Sequence, residues 1–163
     1  MRYARVAVIH VFSRHAVEAV PPFDEPHIFI SIRSPWDDKP VRLRTNEHTL
    51  GVLRMAFHDL DHMPTPEELK VSYHIDWRDL FNARMARELL AFVRTHVLGK
   101  SVRPEIVINC DAGWSRSAAV AAGLEATLLE GDDAPWFRNK TPNMRVYRTI
   151  WHAFHDQQTR RGR

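Results

Sequence analysis

Short runs of Val, Ile and Phe alternate along the chain with longer stretches in which apolar residues recur every three or four positions, the pattern of strands interleaved with helices. Residues 5 to 12 (RVAVIHVF), 27 to 32 (HIFISI), 49 to 57 (TLGVLRMAF) and 105 to 109 (EIVIN) predict four strands, each short and rich in β-branched or aromatic residues. Ser13 is placed to cap a short helix over HAVEAV, which the prolines of PPFDEP then break. Helical spacing is strongest from 78 to 97, where Phe81, Met85, Leu89 and Phe92 form a stripe that reads as core. A further helix is predicted from Arg116 to about Leu129, ended by GDDAP, and a last one from Pro142-Asn143 through Tyr147, Ile150, Trp151 and Phe154. Residues 63 to 74 show little period, and Pro64 and Pro66 favour a loop or a short insertion there.

Strands alternating with helices in this way predict an α/β fold with a mostly parallel central sheet flanked by helices. With no repeat and no composition shift to divide them, residues 1 to 163 read as one domain, the tail from about residue 158 left open between order and disorder.

Composition changes this picture little. A hydrophobic share of 44% and a charged share of 26% are ordinary for a soluble globular chain. No segment approaches the roughly 18 apolar residues of a membrane span, so no membrane partner is expected. The opening MRYARVAVIHVF contains His10 and lacks a small-residue cleavage site, so it reads as a strand rather than a secretion signal. The net charge of +3 is small and its arginines are scattered, apart from TRRGR at the end, which argues against nucleic acid and suits an anionic substrate. A single cysteine makes no internal disulfide and fits the reducing cytoplasm. Ten histidines, with no H-E-x-x-H and no second cysteine, give no metal set, and no cofactor is expected. Oligomeric state is not legible.

The chemistry gathers at IVINCDAGWSRSAAVAAG, residues 106 to 123, where the one cysteine, Cys110, follows an apolar strand and precedes an alanine-rich helix. Loops between a strand's carboxyl end and a helix's amino end attract anions, because unpaired backbone amides converge there on the positive end of the helix dipole. Gly113 permits a tight turn with its amide facing inward. Arg116 supplies a planar fork that grips two oxygens of a phosphate-like anion. A thiol set among such donors favours the thiolate and so becomes a nucleophile. Trp114 is placed either to line the mouth and stack on a substrate ring or to pack on neighbouring helices.

The segment C-D-A-G-W-S-R-S resembles the cysteine, five residues, arginine, serine signature of the protein-tyrosine and dual-specificity phosphatases. The chain is further similar to a group of small bacterial phosphatase-like proteins in FISIR, FHDLD, DLFNARMARELLAFV, CDAGWSRSAAVAAGLE and PNMRVY, in that order, over most of residues 27 to 150, with 62 to 77 poorly matched. The resemblance implies a phosphorylated protein or small phosphomonoester substrate and a metal-free, two-step reaction through a phosphocysteine on Cys110. It also implies phosphate binding by Arg116 and the amides of Asp111, Ala112, Gly113, Trp114, Ser115 and Arg116, and support of the sulfur by Ser117. An aspartate from a neighbouring loop protonates the leaving oxygen: Asp59 matches that position best, followed by Asp61 and Asp76. The family usually carries histidine before the cysteine, and here Asn109 stands in its place. Two rivals remain at this point. A rhodanese-like sulfurtransferase typically has one residue fewer between cysteine and arginine, and a phosphate-binding module would hold the anion without turnover.

Overall fold

The computed structural model describes residues 7–71 and 75–162. Four strands, β1 (Ile9–Ser13), β2 (His27–Arg33), β3 (Thr49–Ala56) and β4 (Glu105–Cys110), form one sheet in the order β1-β4-β2-β3. Every pairing is parallel. The α/β reading therefore holds, with a sheet that is parallel throughout. Of the first predicted strand, Arg5 and Val6 lie outside the described residues.

The apolar runs explain the order. β2 and β4 are almost continuously buried and occupy the centre, whereas β3 alternates and β1 is half-buried, as edge strands are. Ile106, Ile108 and Cys110 face one layer, built from α3 (Ala83–His96), α4 (Arg116–Glu125) and α6 (Met144–Arg161). Val107 and Phe29 face the other, where Val17 of α1 (Arg14–Ala19) and Val41 close a smaller core. Arg116 through Leu124 of α4 are all buried, and its small alanines let the sheet, α5 (Ala134–Asn139) and α6 pack closely around it.

The caps account for most helix starts. The Ser13 hydroxyl accepts from the Ala16 amide at 3.1 Å, and Asn143 caps α6 through the Val146 amide at 3.1 Å. The long predicted helix begins later than its apolar stripe. Asn82 caps α3 by accepting from Arg84 and Met85 amides, while Leu80 and Phe81 are buried in the connection ahead of it, after a short 3-10 turn at Trp77–Asp79. The first α4 segment stops at Glu125, and APWFRN forms α5, which the sequence reading leaves within a break.

A further correction falls in the weakly periodic stretch, where α2 (Pro66–Val71) is a helix. Its start is a reciprocal capping box: the Glu68 amide donates to the Thr65 hydroxyl at 3.2 Å, and the Glu68 carboxylate accepts from the Thr65 amide at 2.8 Å. Pro66 sits at the first helical position, where its missing N–H is harmless. α6 continues to Arg161, so the tail is helical that far.

Candidate active site

All four strands run the same way, so their carboxyl ends share one edge, and the segment from Cys110 to Arg116 leaves from the middle of it. Neighbouring elements fix the course of this loop. The Arg14 amide donates to the Asp111 carbonyl at 3.2 Å, the Lys140 ammonium to the Gly113 carbonyl at 2.8 Å, and the Asn143 amide to the Ser115 carbonyl at 3.2 Å. Across a trans peptide the N–H points opposite to the C=O, so the amides of Ala112, Trp114 and Arg116 point away from these partners. Gly113, at φ +65°, is pressed against the end of β1, and its own amide donates to the Cys110 sulfur at 3.2 Å.

Cys110 is 2% exposed and its Sγ lies 3.0 Å from the Ser117 hydroxyl, so the Gly113 amide and the Ser117 hydroxyl both face the sulfur. Arg116, only 4% exposed, stands beside them on the first turn of α4. Its Nη1 donates to the Phe57 carbonyl at 2.9 Å and to the Ser34 hydroxyl at 3.2 Å, and its Nη2 to the Asp111 carboxylate at 2.6 Å. Nε is buried with no partner among the described residues. A buried guanidinium N–H without a partner is an unmatched donor, which native structures seldom leave without a purpose.

Of the three candidate acids, the structure brings only Asp59 to the loop. One carboxylate oxygen, Oδ1, accepts from the Ser115 hydroxyl at 2.7 Å and from the Asn143 side-chain amide at 2.8 Å. Both donors take Oδ1, and Oδ2 has no hydrogen-bond partner among the described residues. Asp61 is instead bonded to His62, which holds its carboxyl below the usual carboxylate range. Asp76 forms a forked ion pair with Arg78, and that hydrogen bonding likewise holds it down. Asn143 both caps α6 and reaches the site.

Trp114 meets the segment ahead of α6 rather than a helix. It is 50% exposed, yet its indole N–H donates to the Thr141 hydroxyl at 3.0 Å, with the Lys140 ammonium 5.0 Å from the ring centre. Ala112 is exposed on the loop. Asn109 is 1% exposed, and neither its Nδ2 nor its Oδ1 has a partner among the described residues. Its side chain therefore makes no hydrogen bond to the loop among the described residues, and the loop's carbonyls are held by Arg14, Lys140 and Asn143 instead.

His58 is buried. Burial lowers its pKa from 6.5, and the Arg116 charge adds to this against the pull of Asp79 and Asp76. Its Nε2 accepts from the Asp76 amide at 3.3 Å, as a neutral ring does. The sign of the pH dependence follows. The unfolded chain takes up a proton near pH 6.5 that the folded chain resists, so the His58 contribution is complete above that value and is lost as pH falls through the lowered one. Thermal unfolding of the parent and of His58→Gln between pH 8 and pH 5 should show a shallower decline in the variant; parallel curves would remove this assignment. His62 is exposed between Asp61 and Glu68, and His74 lies outside the described residues.

Ser34 and Lys140 escaped the sequence reading. Ser34 carried a signal, since it follows β2 directly at the carboxyl edge, but Lys140 had none. The fold and loop together define an α/β protein whose Cys110–Arg116 loop lies at the carboxyl edge of a parallel sheet. No family profile matches the chain, and no curated relative does. Among solved structures, PTPMT1 in complex with PI(5)P aligns over 84% of this chain and 81% of that one, at 15% identity and a TM-score of 0.40, a likeness too loose to bear on function.

Proposed function

We propose that the chain is a cysteine-dependent phosphomonoesterase of the tyrosine/dual-specificity type, acting on a phosphorylated protein or a small phosphomonoester. The observation that carries this reading is Arg116, a buried cation whose Nε has no partner among the described residues, at the end of the loop that begins at the chain's one cysteine. The sequence resemblance at the loop points the same way.

In the first step the Cys110 thiolate bonds to phosphorus while the bond from phosphorus to the leaving oxygen breaks, and protonated Asp59 delivers its proton from Oδ2 to that oxygen. Arg116 and the loop amides hold the equatorial oxygens as charge redistributes. In the second step Asp59 takes a proton from water, the water oxygen bonds to phosphorus, and the sulfur departs as a thiolate. Ser117 stabilises that thiolate by donating to it across the 3.0 Å contact. The free thiol suits the cytoplasm, and no metal enters the scheme.

A catalytically silent phosphate-binding module is the second reading, favoured by the Asn109 side-chain amide, which has no partner among the described residues. The pH profile of aryl phosphate turnover separates the two. The parent should give a bell-shaped curve. Asp59→Asn should lose its basic limb and roughly a hundredfold to a thousandfold in kcat, while Asp61→Asn and Asp76→Asn keep the parent shape. An absence of parental turnover, with tungstate still bound, would favour the module.

A further inference from the structure

The geometry points to Asp111 and Ser34 as a clamp that aims Arg116, a role for the Asp111 side chain distinct from that of its backbone amide. The inference rests on the phosphate-site reading above. A guanidinium has five N–H donors: one on Nε, two on each Nη. Both Nη1 hydrogens are engaged, by Ser34 Oγ at 3.2 Å and the Phe57 carbonyl at 2.9 Å. One Nη2 hydrogen is engaged by Asp111 Oδ2 at 2.6 Å. The Ser34 hydroxyl also donates to that same Oδ2 at 2.8 Å, so the two oxygens sit side by side, as acceptors along the edge shared by Nη1 and Nη2 must.

The remaining donors are Nε–H, which has no partner among the described residues, and the second Nη2 hydrogen. Nη2 lies on the Nε–H side of the group, so these two point in parallel from the opposite edge. That is the fork that fits two oxygens of a tetrahedral oxyanion. Asp111 and Ser34 thus occupy one edge of the guanidinium and present the other. Both belong to segments leaving the sheet at its carboxyl edge, Asp111 directly after β4 and Ser34 directly after β2, so the clamp ties Arg116 to the two central strands. Asp111 also supplies the counter-charge that a buried arginine needs when no substrate is present.

The opposite role for the same contact is a plug, in which the Asp111 carboxylate imitates the substrate and must be displaced. Calorimetric binding of tungstate distinguishes the two, measured on the parent, Asp111→Asn, Asp111→Ala, Ser34→Ala, Arg116→Lys and the Asp111→Ala/Arg116→Lys double variant, with unfolding midpoints to verify folding. A clamp predicts roughly tenfold to a hundredfold weaker tungstate binding in Asp111→Ala, and a smaller loss in Ser34→Ala. In the Arg116→Lys background, which lacks the fork, Asp111→Ala should change affinity by less than about twofold. Tighter binding in Asp111→Asn would make the contact a plug and overturn the clamp. Unchanged binding in Asp111→Ala, or an equal loss in the lysine background, would overturn it while leaving the phosphate site intact. A parent that binds no tungstate would remove both.

Discussion

Cys110→Ser protein is expected to turn over aryl phosphate at least about ten-thousandfold more slowly than the parent, while binding tungstate within a fewfold of it. The two halves of that result have separate causes. Chemistry stops because a serine hydroxyl next to Gly113 and Ser117 is un-ionised at neutral pH and far less nucleophilic than a thiolate. Binding persists because the groups proposed to hold the anion, the loop amides and the Nε edge of Arg116, are untouched. Cys110 is buried and the exchange is nearly isosteric, so the fold should survive. Steady-state kinetics beside calorimetry give both numbers. Turnover within tenfold of the parent would exclude Cys110 as the nucleophile. Thiosulfate sulfurtransferase activity in the parent would redirect the chemistry to sulfur.

Gly113→Ala should be strongly damaging to both fold and site. A Cβ at Gly113 would stand 2.4 Å from the Ser13 nitrogen, 2.5 Å from the Phe12 carbonyl carbon and 2.7 Å from its oxygen. All three are backbone atoms of β1, held in register with β4 by the pairing of Ser13 with Cys110, so neither side can yield locally. The φ of +65° adds the strain of a left-handed alanine. Together these cost about 3 to 5 kcal/mol, which for a domain of this size lowers Tm by roughly 10 °C. Aryl phosphate turnover should vanish with it, because any relief moves the amide that faces the sulfur. Gly99→Ala is the control: its φ is +72°, yet a Cβ there meets nothing within 4 Å. It should cost only about 1 kcal/mol. Equal losses in the two variants would mean that the close approach to β1 carries no weight.

Much of this architecture was legible because it is written locally. EIVIN followed by a small-residue loop and RSAAVAAG states a buried strand, a turn and a helix within one window, and Ser13 and Asn143 mark helix starts by the same short-range logic. What the reading missed was sometimes equally local. Thr65 and Glu68 form a capping box that two prolines obscured, although Pro66 at the first helical position favours a helix. Asn82 sets the start of α3 against an apolar stripe that begins earlier, because Leu80 and Phe81 reach the core from extended backbone.

The partners of Arg116 had no such signal. Ser34 lies 82 positions away and the Phe57 carbonyl 59, and they meet it only because β2 and β3 end at the same edge as β4. The strand order that creates this meeting depends on which runs are buried on both faces, a tertiary fact. Asp111 could be read as a loop amide, but its carboxylate's partner depends on a side-chain path that spacing does not encode.

One-way strands also give the molecule two ends with different tolerances. Every group proposed for the chemistry clusters where β1, β2, β3 and β4 finish, whereas the connections feeding their starts, such as the turn around Gly99, carry none of them. Fluorophores, surface tethers or a spliced guest sequence belong at that entry end, where they can be attached without disturbing the exit end.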